Sequence, residues 1–454
     1  MGPSAESLEA LPSTLPVVWD AASMPAGFKA GGAVAGIKPS GRFDLGIVAV
    51  TGGAAAAAAV FTRNQLVAAP IRVSRAHLAA TETGGGGSFG WVDAVVATAG
   101  SANAATGPEG DEDQHEICRA VAAALQTSAE RVVAVSTGVI GIRLPVPAVC
   151  EAVGRLAPAL DPTHDGLAAV ARAMMTTDTK IKLATAAVEL QGPDGAPVKI
   201  TVTGIAKGVG MIHPRMATML SVILTDASAE PATLHGLLAP VVQRTWNQLS
   251  VDGDTSPNDT VFLLASGAAG ARQVGPAGPE SDTLSGAIEA VARSLARQQA
   301  ADGEGATTLI TCQVSGAADD YDARAVARSV VASSLLKAAV HGRDPNWGRV
   351  ASAAGNARLP EAEMLEAAGL DRSDAVARAC RLAGFDVARL RVAIAGSLVF
   401  AGAPLPFDRD ATRRAMDAPE VLIRVDLGLG GGSGEAFGCD LTEEYVIENA
   451  EYTT

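Results

Sequence analysis

The chain has 454 residues, 49 of them glycine, only 4% aromatics and a formal charge of −14. That length can bury a large core or two moderate ones. The acidic balance argues against nucleic acid and anionic membrane surfaces, both of which need a basic footprint. The first 25 residues read as a loose leader with no secretory signal. The longest apolar run, Gly46 to Phe61, falls short of the roughly 20 residues a membrane helix needs. Short Val-rich runs at Asp93–Thr98 and Arg131–Ser136 predict buried strands. Between them Ile117, Val121 and Leu125 fall on one face of a helix. Further strands are expected at Lys199–Ile205, Met219–Leu224, Thr260–Ala265 and Thr308–Val314. Helices are expected at Ala232–Leu249, Thr283–Gln299 and Asp322–Ala339. Glu82–Gly90 reads as a flexible loop, Gly275–Ser281 as a Pro/Gly turn, and Leu359–Phe385 as a charged helical surface decoration. Mixed elements of this kind imply layered sheets with helices outside.

The cysteines (Cys118, Cys150, Cys312, Cys380, Cys439) are scattered and odd in number, which suits a reducing cytoplasm better than a disulfide framework. The six histidines are also scattered, so no metal site is expected. Gly428 to Gly434 misses the GxGxxG spacing, because Ser433 stands where the third glycine belongs, and is read as a flexible hairpin loop.

The most informative stretch lies near the midpoint: Lys207-Gly208-Val209-Gly210-Met211-Ile212-His213-Pro214-Arg215-Met216-Ala217-Thr218-Met219-Leu220. A threonine hydroxyl is a poor nucleophile until a base sits beside it, and a chain's own terminal amine is one such base. A break between Ala217 and Thr218 would give Thr218 an α-amine with an ordinary pKa of about 7.7–8.0. That value suits a general base working near neutral pH. Seen alone, an Ala-Thr opening an apolar run is a packing feature. The longer string closely resembles the self-processing segment of the ornithine acetyltransferases, Lys-Gly-x-Gly-Met-x-x-Pro-x-x-Ala-Thr-Met-Leu. These are the bifunctional glutamate N-acetyltransferases of arginine biosynthesis.

The resemblance extends from about Ala26 to Thr454 through motifs in the family's order, and it implies roles for particular residues. Ser136-Thr137-Gly138-Val139-Ile140-Gly141, at a strand end, is similar to the family's oxyanion motif and points to Thr137 and Gly138. Read from the residues alone, it is an ordinary strand-end turn. Lys207 is implied as the cation for a substrate carboxylate, and Glu304, in Asp302-Gly303-Glu304-Gly305, as a substrate contact. Met175-Thr176-Thr177-Asp178 resembles a pocket-lining segment and points to Thr176. Thr442 reads as the N-cap of a last helix with Tyr445 and Val446 on its inner face. The terminus, Asn449-Ala450-Glu451-Tyr452-Thr453-Thr454, resembles a tail that folds into the pocket and implicates Asn449 and Thr454. Ser250–Thr260 and Asp344–Arg349 are family-like strings with structural rather than chemical roles, although the resemblance leaves both able to approach the site.

The resemblance implies an α/β fold, a layered αββα sandwich of N-terminal-nucleophile type with mixed sheets and a smaller C-terminal domain. Self-cleavage at Ala217/Thr218 would leave an alpha chain, 1–217, and a beta chain, 218–454, assembled as two of each. The expected reaction moves acetyl from N2-acetylornithine to L-glutamate through acetyl-Thr218, without cofactor or metal, with acetyl coenzyme A open as a second donor. Arg215, Val209 and Ala97–Gly100 depart from the family's usual residues, which leaves room for a paralogue with a shifted acceptor. A hydrolase or aminopeptidase of the same type, and a non-catalytic binding protein, are the other readings.

Overall fold

The computed structural model describes residues 8–11, 13–21, 23–213 and 219–451. Ala217, Thr218 and Thr454 therefore lie outside the described residues. The continuous apolar run after Thr218 explains the architecture. Leu220–Thr225 is a strand buried on both faces. Leu220, Val222 and Leu224 point into one core, and Ile223 into another. This is the period-two split that a central strand between two packed layers requires.

That strand sits in the middle of a seven-stranded mixed sheet. Its order is Val18–Trp19, Lys182–Gln191, Pro197–Lys207, Leu220–Thr225, Thr260–Ala265, Ala55–Phe61 and Phe89–Val92. The pairing of Leu220–Thr225 with Pro197–Lys207 is antiparallel, Lys207 opposite Leu220 and Val202 opposite Thr225. Hydrogen bonds thus join chain on either side of residues 214–218. A four-stranded sheet (Phe28–Ala33, Leu45–Val50, Ala94–Ser101, Val132–Val139) faces the first one. Phe28, Val48, Val95 and Val135 meet Ala57, Phe61, Ile205, Val222 and Phe262 between the sheets. Helices Pro231–Arg244 and Pro279–Ala301 cover the outer face of the larger sheet. Helices Gly107–Leu125 and Val146–Leu156 cover that of the smaller. The order helix, sheet, sheet, helix is the expected α/β sandwich with mixed sheets.

The smaller C-terminal unit is a six-stranded sheet with its own core. Its order is Leu249–Ser250, Gly432–Cys439, Leu309–Ala317, Glu420–Asp426, Arg391–Ile394 and Ser397–Ala401. Here several expectations fail for identifiable reasons. Glu420–Asp426 and Gly432–Cys439 do not form a hairpin, because Leu309–Ala317 lies between them and pairs with both. The glycine loop joining them crosses that strand, and a Cβ on Gly432 would sit 2.1 Å from the carbonyl carbon of Asp319. Close backbone approach, not flexibility, calls for glycine there.

The expected helix Asp322–Ala339 is two, Asp320–Ala332 and Ser334–His341, because Ser333 turns extended and caps the second through Leu336 N–H. Helix Pro231–Arg244 stops at Thr245, short of the expected Leu249. Leu359–Phe385 is more than decoration: Leu359, Leu365, Ala375 and Ala383 are buried in the C-terminal core. Glu82–Gly90 contains a 3-10 turn at Thr83–Gly85 and the start of the strand at Phe89. Asn346 caps helix Trp347–Gly355, accepting from Arg349 N–H.

Candidate active site

Strand Val132–Val139 runs parallel to Ala94–Ser101, and the pair meets at two glycines, Gly100 opposite Gly138. Gly138 has φ +125°, and a Cβ there would lie 2.3 Å from the Gly100 carbonyl carbon. Glycine is therefore obligatory, and it lets Thr137 present its hydroxyl at the strand end. Strand Pro197–Lys207 ends on Lys207, and helix His164–Met174 is followed directly by Thr176. These three segments converge. Lys207 Nζ lies 3.1 Å from Thr137 Oγ1 and 2.9 Å from Thr176 Oγ1. An ammonium can only donate, so both hydroxyl oxygens accept and each hydroxyl proton stays free to point elsewhere.

Lys207 is a buried strand end. Burial pushes its pKa down, against the pull of Asp178. Its Nζ is 3.9 Å from Asp178 Oδ2. Asp178 is fully enclosed: Oδ1 accepts from Lys182 Nζ at 2.6 Å and from Gly208 N–H at 2.9 Å, and Oδ2 accepts from Thr176 N–H at 3.1 Å. Burial works to raise the Asp178 pKa, but Lys207, Lys182 and the Gly208 N–H outweigh it and hold the pKa down at about 2. A folded pKa below the unfolded value stabilises the protein above the unfolded pKa, and that contribution disappears as pH falls through the folded one. Wild type should accordingly lose on the order of 2 kcal/mol from this group between about pH 4 and pH 2. Thermal melts should show the gap between wild type and Asp178→Asn closing over that window; a gap that stays constant would contradict the assignment.

Glu304 enters from the opposite wall. Its Oε1 accepts from Thr177 Oγ1 at 2.8 Å and its Oε2 from Asn449 Nδ2 at 2.9 Å. Asn449 belongs to the final helix, Glu443–Glu451. Thr442 both caps that helix, accepting from Tyr445 N–H at 3.2 Å, and donates to Gly305 O at 2.7 Å. Gly305 has φ +64°, and a Cβ there would meet Tyr445 N at 2.3 Å, so the tail helix seats on the turn that carries Glu304. Tyr445 faces inward as expected, whereas Val446 is 62% exposed.

Together Thr137, Gly138, Thr176, Lys207, Glu304 and Asn449 line one cavity of about 400 Å3, and the described chain resumes after residues 214–218 at Met219, on its wall. Three participants were missed by reading the sequence. Thr177 holds Glu304. Asn258, in a string assigned a structural role, lines the cavity and ties Ala102 O and Ser136 O through its Nδ2, at 2.6 Å and 2.9 Å. Lys182 underlies Lys207 through Asp178. The density of turn-forming residues just before a strand was the available signal for Asn258. Asp344–Arg349, the other such string, contributes nothing to this cavity among the described residues.

Gly210 packs against Glu304, and a Cβ on it would fall 2.1 Å from Glu304 Oε2. Gly210→Ala should push the carboxylate off its Thr177 and Asn449 partners. The expected result is a rise in KM of about tenfold, the loss of one charge-assisted hydrogen bond, with little change in melting temperature. Steady-state kinetics beside a melt separates this from a folding defect.

No group of three metal-ligating side chains occurs among the described residues, and no described helix is long and apolar enough to cross a membrane. All five cysteines are free.

The family model described as "ArgJ family" matches residues 29–454. The arginine biosynthesis bifunctional protein ArgJ of a Synechococcus species is 43% identical over 440 residues, 95% of this chain and 96% of that one. The protein of the same name from Thermus thermophilus is 43% identical over 434 residues, 96% of this chain and 100% of that one. A crystal structure of ornithine acetyltransferase with ornithine, from Mycobacterium tuberculosis, is 38% identical with a TM-score of 0.39, covering 44% of this chain and 99% of that one. The match over nearly the whole length, at this identity, shows that the chain belongs to the ArgJ family.

Proposed function

We propose that the chain moves acetyl from N2-acetylornithine to L-glutamate through an ester on Thr218, as an acetyltransferase of arginine biosynthesis. The observation that carries this reading is the convergence of Thr137, Gly138, Thr176, Lys207, Glu304 and Asn449, far apart in sequence, on one cavity. The curated relatives are bifunctional proteins of arginine biosynthesis, which supports the pathway.

The steps follow from the chemistry of the groups present. The Thr218 hydroxyl attacks the Ala217 carbonyl, the peptide nitrogen leaves as the Thr218 α-amine, and water hydrolyses the resulting ester. That amine then takes the Thr218 hydroxyl proton as the oxygen attacks the acetyl carbonyl of N2-acetylornithine. Negative charge builds on the carbonyl oxygen. The free Thr137 hydroxyl proton, with Lys207 behind it, gives a preorganised donor for that charge, worth about 2.7–4 kcal/mol in comparable sites. Collapse of the intermediate releases ornithine, whose leaving amine takes the proton back. Glutamate's amine next attacks the acetyl-Thr218 ester to give N-acetylglutamate and restore Thr218. Lys207 and Glu304 offer a cation and an anion for the amino-acid ends of both substrates.

The reading includes work in the cytoplasm without a metal or resident cofactor, assembly as two alpha and two beta chains, and acetyl coenzyme A as the second donor of a bifunctional enzyme. Thr454 would reach the substrate with Asn449. Incubating the enzyme with N2-acetylornithine, with and without glutamate, tests the transfer. Ornithine release that depends on glutamate, with N-acetylglutamate formed in equal amount, supports it. Release at full rate without glutamate would make the chain a hydrolase.

A further inference from the structure

A second cavity, of about 900 Å3, is more than twice the volume of the catalytic one and plays no part in the chemistry above. It lies between the sandwich and the C-terminal unit, under helices Asp320–Ala332 and Trp347–Gly355. Its wall toward the catalytic site is shared: Met211 and Ile212 line the catalytic cavity and the next residue, His213, lines this one.

In a chain of net charge −14, four arginines line this space, Arg324, Arg328, Arg349 and Arg358, against one carboxylate, Glu361. Arg324 is the informative member. Its guanidinium stacks 4.9 Å from the Tyr321 ring centroid, yet among the described residues its N–H donors meet no hydrogen-bond acceptor or ion-pair partner. Burial lowers its pKa, although Asp320 and Asp319 oppose this. Those two carboxylates are engaged elsewhere, Asp319 with Arg378 at 2.6 Å and Asp320 with Ser433 N–H at 2.8 Å. Donors that face a cavity without a protein acceptor can exchange their water for the oxygens of a bound ligand. Gln248 also lines the cavity, and its buried Oε1 has no hydrogen-bond partner among the described residues.

We propose that this cavity is a binding site for a phosphate ester of nucleotide size. Planar guanidinium groups match phosphate oxygens two at a time, and four of them offer more positive charge than a lone carboxylate would balance. The volume lies within the roughly 300–1,000 Å3 that pockets offer to ligands far larger than an amino acid. Small residues open the floor: Ala325 and Ser329 on one helix, Gly348 and Ser352 on the other.

Titration calorimetry on the intact enzyme, in the absence of amino-acid substrates, tests the site apart from acetyl transfer. The probes are coenzyme A, ATP and inorganic pyrophosphate. At least one should bind with a dissociation constant below about 0.1 mM, weakening as salt rises. Arg324→Gln should weaken it by about tenfold or more, as expected for loss of a charge-assisted contact. Ser352→Trp, at an exposed position, should block binding by filling the space while acetyl transfer and melting temperature stay unchanged. Binding of pyrophosphate as tight as that of the two larger probes would show that phosphate alone is read. Preference for coenzyme A or ATP that Ser352→Trp abolishes would show that the adenosine is read too, and either result supports the site. Absence of binding by all three, or equal affinity in wild type, Arg324→Gln and Ser352→Trp, overturns it.

Discussion

Thr218→Ala should give a single uncut chain that transfers no acetyl group. Without the hydroxyl, neither the Ala217 carbonyl nor the acetyl carbonyl has an attacking atom. Loss of a nucleophile that works with its base as one unit lowers turnover by on the order of 10^4-fold or more. Thr218→Ser keeps the oxygen and should still cut, which separates the chemical role from a folding role. A denaturing gel reads the cut and an ornithine-release assay reads the transfer. In wild type the two pieces should co-elute on gel filtration, because the strands Pro197–Lys207 and Leu220–Thr225 lie side by side in one sheet. An uncut but active Thr218→Ala variant would remove Thr218 from the mechanism.

The second large effect is expected at a residue just behind the lining of the candidate cavity. Lys182 is fully buried, and its ammonium donates to Asp178 Oδ1 at 2.6 Å, to Asp302 Oδ2 at 2.6 Å and to Lys180 O at 3.3 Å. Asp178 fixes the segment bearing Thr176, and Asp302 begins the turn bearing Glu304. Lys182 thus fastens together two walls of the catalytic cavity. Lys182→Met fills similar volume but leaves buried Asp302 without its cation and Asp178 with only Lys207, 3.9 Å away, a change that typically destabilises by 3–5 kcal/mol. The melting temperature should fall by roughly 3–5 °C. Converting Asp302 to Asn in the same chain should recover part of that loss, since one stranded charge is gone. A melting temperature unchanged by Lys182→Met would show that the buried charges find solvent or other partners.

This cluster also shows what the sequence hid. Asp178, Lys182 and Asp302 read as ordinary polar residues, because their pairing spans up to 120 positions and no local pattern encodes it. The alanines of Ala55–Ala59 were equally opaque. Alanine favours helices, yet this run is a strand buried on both faces, alternating between two cores. Tertiary packing overrides propensity there, since the close approach of helix Pro231–Arg244 on one side and the second sheet on the other leaves room only for small side chains. By contrast, Thr260–Ala265 was legible to the residue, a short apolar run with turn-formers just before it. The glycine loop after Asp426 misled because adjacent strands in sequence suggest a hairpin, and only the insertion of Leu309–Ala317 between them rules that out. Within the candidate site, membership of the cavity was readable where a motif carried it, as at Thr137 and Glu304. The hydrogen bonds that hold those groups, from Lys207, Thr177 and Asn449, needed the fold.

The most direct test is mass mapping of the enzyme after brief exposure to N2-acetylornithine without glutamate. The expected result is one acetyl group on the peptide that begins at Thr218, removed when glutamate is added. Acetyl on any other residue, or a peptide that still runs through Ala217 into Thr218 in active enzyme, would contradict the account.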